Sequence, residues 1–329
     1  MRTQDREAVF VEASARLHFG VLDLRGESGR WFGGIGVAAS TPTLLVSASP
    51  DERLVVEGDD AVRGREFARL FLAHHDLDRG ALIRIHRSLP AHAGLGSGTQ
   101  LALAIARALA ELYGLGADAR ELARAVGRGK RSAIGTWTFA GGGLVVEGGR
   151  VPDRDECGPL IAHLPIPAGW RCVLAVPDGA PGISGAGEGE AFARLPVPLE
   201  RDVERVSHLV LMALLPALAD GELAPFGRAL TEIQEITGRW FASVQGGTFA
   251  PGASADLVRR LSEWGASGVG QSSWGPAVYG IVEGEEAGRR LADTVRAHLG
   301  SSGTVFEGPF RSDGAHVWRA PVHAAGARR

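Results

Sequence analysis

The chain has 329 residues, 45% of them hydrophobic, which is enough to fill two cores and argues for two domains. A formal net charge of −3 excludes the basic excess of a nonspecific nucleic-acid binder, so any anionic ligand has to be held by local clusters. Cys157 and Cys172 stand in no disulfide or zinc spacing, and the longest apolar helix candidate, 209–219, is too short to span a bilayer, so a soluble, cytoplasmic protein is expected.

The first predicted element is a strand with Val9, Val11 and Ala13 on one side, running on to Gly20. If Leu17 and Phe19 enter a core there, Arg16 and His18 point together to the opposite face. Residues 23–36 follow as a charged, glycine-rich hairpin or loop carrying Trp31 and Phe32. Strands are expected at 43–48, 54–57 and 82–87, with a helix at 65–75. Leu101, Ile105, Leu109 and Leu112 repeat at helical spacing before Gly114, and Asp118 is placed to cap a second helix that stops at Gly127. A strand over 142–147 closes this half, and the proline-spaced 163–167 marks the boundary between domains 1–165 and 166–329. The second half reads as a strand at 171–176, a glycine-rich loop at 182–189, a helix over 201–219 kinked at Pro216, and a helix over 226–236. A helix capped by Ser254, a strand at 277–282, a helix at 286–298 and a strand at 304–307 complete it.

Three glycine-rich segments carry the chemistry. Gly94, Gly96, Ser97, Gly98, Thr99 and Gln100 open directly into a helix, a combination that lets backbone N–H groups and the positive end of a helix face an anion. The same spacing also allows a capping box between Ser97 and Gln100. It is neither a Walker loop nor a Rossmann fingerprint, lacking the Gly-Lys-Ser/Thr of the one and the strand and acidic partner of the other. Arg128, Lys130 and Arg131, in a glycine-rich turn ending near Ser132, form a second anion site; among 34 arginines Lys130 is the one lysine. Residues 265–276, with Gln271, Ser272, Ser273 and Trp274, are the candidate second wall of a cleft between the domains.

At these positions the chain resembles the GHMP superfamily, whose kinases share a Pro-x-x-x-Gly-Leu-Gly-Ser-Ser loop, here Pro90 to Ser97. It is most similar to the β-ribofuranosylaminobenzene 5′-phosphate synthases, through Arg16-Leu17-His18-Phe19-Gly20-Val21-Leu22-Asp23, Gly94 to Gln100, Arg128 to Gly135 and Gly268 to Gly275. The resemblance implies an α+β, GHMP kinase-like two-domain fold: a ribosomal protein S5 domain 2-like N-terminal domain and a ferredoxin-like C-terminal domain. It implies a homodimeric enzyme joining 5-phosphoribosyl 1-diphosphate to an aromatic carboxylate, with loss of diphosphate and carbon dioxide and with Mg²⁺ on the diphosphate. 4-Hydroxybenzoate or 4-aminobenzoate, for a methanopterin-type cofactor, and a carboxylated pyrazole, for a C-nucleoside antibiotic, remain open as acceptors.

On this resemblance Asp23, Arg30 and Lys130 are the expected catalytic residues, Asp23 for a cationic centre or the ring donor and Arg30 for the acceptor carboxylate or the diphosphate. Arg16, His18, the 94–100 loop, Arg128, Arg131, Ser132, Gln271, Ser272 and Ser273 are expected to bind substrate. Trp137 is a candidate acceptor wall. His92, Glu188 and Glu190 are read as structural or solvated, and no metal ligands are assigned. The alternatives are an ATP-dependent small-molecule kinase and a noncatalytic phosphosugar-binding protein.

Overall fold

The computed structural model describes residues 7–321 apart from 155, 180, 181, 184 and 185. Strands β1 (Glu7–Asp23) and β2 (Phe32–Asp51) form a long antiparallel hairpin, followed by β3 (Val55–Gly58), helix α1 (Ala61–His74) and β4 (Gly80–Arg87). Helices α2 (Ser97–Tyr113), α3 (Ala119–Ala125) and α4 (Ile134–Gly141) lead to β5 (Leu144–Glu147) and β6 (Leu160–Leu164). Leu101, Ile105 and Leu109 are buried on one face of α2 as their spacing predicts, and Gly114 ends the helix in the left-handed conformation. Asp118 caps α3 by accepting from the Glu121 N–H at 2.8 Å.

The second half contains β7 (Trp170–Pro177), α5 (Ala186–Ala193), α6 (Glu200–Leu209), a π-helical segment at Val210–Leu214, α7 (Leu215–Ala219) and α8 (Leu223–Gln245). After α9 (Ala253–Glu263) come β8 (Gly268–Gln271), β9 (Val278–Glu283), α10 (Glu285–Leu299), β10 (Gly303–Pro309) and β11 (His316–Pro321). The four-stranded sheet has the order β10-β7-β9-β8, which with α8 and α10 is the strand-helix-strand-strand-helix-strand arrangement expected for a ferredoxin-like unit.

The other sheet has the order β11-β1-β2-β4-β3, with β5 on β2 and β6 on β5; among the described residues its β3–β4 pair alone is parallel. The 165/166 division falls between β6 and β7, where the chain changes sheets, but β11 returns to pair with β1, so the first sheet is not built from residues before 166 alone. Among the described residues, the larger of two apolar clusters joins both halves, and the smaller lies within the second half. The Phe19 and Tyr279 rings lie 4.9 Å apart, and Gln234 on α8 donates to the Phe19 carbonyl at 2.7 Å.

Several local expectations are corrected. Ser254 does not cap α9 but lies within it, donating to the Pro276 carbonyl, and the 201–219 helix widens into a π turn just before Pro216, a residue with no N–H to offer the helical ladder. Ser97 is the first residue of α2 and Gly96 its cap; Gln100 reaches instead to the Gly135 carbonyl at 3.0 Å, so there is no capping box.

Candidate active site

Two irregularities in β1 fall on either side of Arg16–His18, between Ser14 and Arg16 and between His18 and Gly20. Such bulges bend a strand and re-aim its side chains. Leu17 and Phe19 are fully buried, while Arg16 and His18 turn toward a cleft between the sheets. The Arg16 N–H bonds the Leu95 carbonyl and its guanidinium the Gly94 carbonyl, which fixes β1 against the glycine loop.

The loop forms a cradle. Gly94 and Gly96 both have positive φ, and a Cβ on Gly94 would sit 2.1 Å from the Ser272 carbonyl oxygen, so only glycine fits there. Ser272 is the staple of the assembly: its hydroxyl donates to the Gly94 carbonyl at 2.7 Å and accepts from the His18 N–H at 2.9 Å. A cavity of about 280 Å³ is lined by Gly94, Gly96, Ser97, Gly98 and Thr99 together with Arg16, Arg63 and Arg128. Three guanidinium groups and the first N–H groups of a 17-residue helix therefore face one space. Arg128 is held over the Phe67 ring, 4.8 Å from its centroid, and burial together with Arg63 lowers its pKa.

Against the cradle lies a second cavity, of about 90 Å³, with an aromatic wall. Phe32, Phe192, Phe241 and Trp274 meet edge to face, with centroids 4.8–5.8 Å apart for the pairs among Phe192, Phe241 and Trp274 and 5.4 Å for Phe32 and Phe192. Arg16, Glu188, Ser273 and Trp274 line both cavities and form the junction. Glu188 on α5 accepts from Arg131 at 2.7 Å and from the Trp274 indole N–H at 3.3 Å, so this carboxylate is a site residue and not a merely solvated one. Burial lowers Arg16 to about 10, opposed by Glu188, so it stays charged. Burial and the nearby Arg16 push His18 down to about 3, which leaves its imidazole neutral at pH 7.

The structure divides the expected site residues into three groups. Arg16, His18, Gly94, Gly96, Ser97, Gly98, Thr99, Arg128, Arg131, Ser132, Gln271 and Ser273 line the two cavities. Gln100 and Ser272 are buried staples, and the amide of Gln271 is already bonded to Ala250 and Ser273. The three expected catalytic residues line neither cavity. Asp23 accepts from the Arg25 and Gly26 N–H groups and shapes the hairpin turn; Arg30 is exposed and donates to the Gly149 carbonyl; Lys130 lines a separate pocket. Trp137 likewise turns away, its indole bonding the Gly158 carbonyl at 2.8 Å.

Residues missed by the sequence reading include Arg63, Phe192 and Phe241, which reach the site from three different helices. None belongs to a motif, and each lies outside the helices expected from spacing: α1 starts before 65, α8 runs past 236, and the segment expected as a loop at 182–189 leads into α5. Among the described residues, no group of three His, Cys, Asp or Glu side chains is arranged to hold a metal ion.

Comparison with known proteins agrees with this architecture. The GHMP kinases N terminal domain family matches residues 62–142 and the GHMP kinases C terminal family residues 214–301. β-Ribofuranosylphenol 5′-phosphate synthase of Methanothermobacter thermautotrophicus is 35% identical, over 91% of this chain and 96% of its own length. The enzyme of the same name from Archaeoglobus fulgidus is 39% identical, over 86% of this chain and 91% of its own. The chain belongs to this synthase family. Its fold is that of the GHMP kinases: homoserine kinase from Cytophaga hutchinsonii superposes with a TM-score of 0.71 over 97% of this chain and 99% of its own, at 16% identity. In this family member the glycine cradle therefore sits on a kinase fold beside a wall of four aromatic rings.

Proposed function

We propose that the chain joins C1 of 5-phosphoribosyl 1-diphosphate to a ring carbon of an aromatic carboxylic acid, 4-hydroxybenzoate, releasing diphosphate and carbon dioxide. The observation that carries this reading is the junction: a cradle for a polyanion and an aromatic-walled cavity share Arg16, Glu188, Ser273 and Trp274. A kinase needs the first; a ring acceptor needs both. The relatives are named for a ribofuranosylphenol product, and 4-hydroxybenzoate that loses carbon dioxide at the attacked carbon leaves a phenol ring.

The diphosphate sits against Arg16, Arg63, Arg128 and the N-terminus of α2, which stabilise the charge that develops as the C1–O bond breaks and its electron pair leaves with the diphosphate. The ring lies among Phe32, Phe192, Phe241 and Trp274, with its carboxylate toward Arg131. The ring carbon bearing the carboxylate attacks C1 and a C–C bond forms. The bond to the carboxylate then breaks, its electron pair restores the aromatic ring, and carbon dioxide departs. Charge balances with no net proton taken up or released, so the step needs no general base. Mg²⁺, expected with the donor, would take most of its ligands from diphosphate oxygens and water, with Glu188 as the carboxylate lining both cavities, and would neutralise leaving-group charge.

The test is release of diphosphate and carbon dioxide from phosphoribosyl diphosphate with 4-hydroxybenzoate, 4-aminobenzoate or 4-aminopyrazole-3,5-dicarboxylate. Stoichiometric release of both with 4-hydroxybenzoate is expected. Release with the pyrazole alone would move the acceptor to a heterocycle, and ATP-dependent phosphorylation without diphosphate release from the ribosyl donor would overturn the reading in favour of a kinase.

A further inference from the structure

On the far side of Arg128 from the cradle lies a smaller cavity, of about 50 Å³, lined by Arg120, Arg124, Arg128, Lys130, Arg150 and Arg154. Glu156 is the one carboxylate among its described lining residues. The arrangement differs from the rest of the surface. On α9 and α10, Arg259, Arg289, Arg290 and Arg296 each pair with a carboxylate three or four residues away. Among the described residues, Arg120, Arg124, Arg128, Arg150 and Arg154 have no such partner. The end of α3 explains a cation at Arg124 through the helix dipole, but not the convergence of arginines from α3, the 128–130 turn and the 150–154 segment.

Two of the guanidinium groups are held in place by rings: Arg128 over Phe67, and Arg150 over Phe32 at 5.7 Å. The Nε atoms of both are buried without a hydrogen-bond partner. Cations crowded in a small concavity repel one another unless a multivalent anion sits among them, and the planar guanidinium fork matches phosphate oxygens.

We propose that this pocket is a second anion site, distinct from the glycine cradle, that binds one phosphate group. The group has two chemical sources, the 5′-phosphate of the ribosyl donor or a separate small phosphate. The site touches both halves of the cleft from behind, because Arg128 also lines the cradle and Phe32, under Arg150, also lines the aromatic cavity.

Calorimetric titration of the full chain with inorganic phosphate at low ionic strength tests this directly and does not depend on the transferase activity. The wild type is expected to bind two phosphates. Arg124→Gln/Arg154→Gln, at two exposed positions where folding is insensitive, is expected to lose one of them, its affinity falling at least about tenfold, while Arg63→Ala loses the other. Arg289→Gln/Arg290→Gln removes the same charge from α10 and is expected to change neither. Unchanged binding in the Arg124/Arg154 variant, or an equal loss in the α10 control, would overturn the proposal. Saturating phosphoribosyl diphosphate assigns the source: displacement of both phosphates points to the donor's own 5′-phosphate, and retention of one to a separate molecule.

Discussion

The cradle and the aromatic cavity share four residues yet are built in opposite ways. The cradle takes its backbone from one stretch, 94–99, where glycine conformations and a helix start do the work, and adds three arginines around it. The cavity takes its rings from β2, α5, α8 and the turn after β8, each reaching inward from a different element. A site made of backbone tolerates little substitution where its glycines hold positive φ, as at Gly94 and Gly96, whereas a site made of converging side chains can change one wall and keep the others. On the proposed function, the donor's anion is the fixed requirement and the acceptor the adjustable half of the reaction.

The largest effect expected from breaking that contrast is at Gly94. Gly94→Ala forces a Cβ into the Ser272 carbonyl at positive φ, and displacement of the cradle should cost at least about 100-fold in turnover, measured as diphosphate release. Two variants sharpen the division. Arg63→Ala should raise KM for the donor roughly tenfold and leave the acceptor KM unchanged, and Phe241→Leu should do the reverse by about fivefold. Steady-state kinetics with each substrate varied in turn separates them, and matching shifts in both KM values would show that the two cavities act as one. Asp23→Ala removes the turn that precedes Phe32, so it should act as a positioning change, raising the acceptor KM about threefold with kcat nearly intact.

The smallest effect is on pH dependence. His18 is held near 3 in the fold and stands near 6.5 when unfolded, so as pH falls through that window the unfolded chain binds a proton that the fold resists, and stability is lost. Glu147, raised by burial from 4.5 to about 7, has the opposite sign: its contribution is present at low pH and is lost as pH rises through about 7. Melting temperature against pH should therefore flatten on the acid side in His18→Asn and rise above pH 7 in Glu147→Gln.

What was legible in the sequence follows the same division. The glycine loop, the α2 stripe and the Asp118 cap depend on neighbours within a few residues, and these features stand where their spacing places them. Asp23 and Lys130 drew attention by charge inside motifs and Arg30 by charge in the glycine-rich hairpin, but charge says nothing of direction, and all three lie outside the cleft. Glu188 reads in the sequence as structural or solvated, and its place in the cleft is not legible there because its partners, Arg131 and Trp274, are 57 and 86 residues away in the chain. Trp137 looked like a pocket wall, yet it sits on α4 with its indole tied to the Gly158 carbonyl, a contact that no local pattern announces.

The return of β11 to β1 bears on how the protein is made. Residues 316–321 pair in register with 12–7, so β1 keeps one edge open until residues 316–321 have been synthesised. Contacts that span over 300 positions close the longest loops in the fold and are the slowest to find. The cradle hangs on that strand through Arg16, so anion affinity should strengthen once residues 316–321 have paired with β1, and a nascent chain stalled before residue 316 should present an exposed strand edge to chaperones in its place.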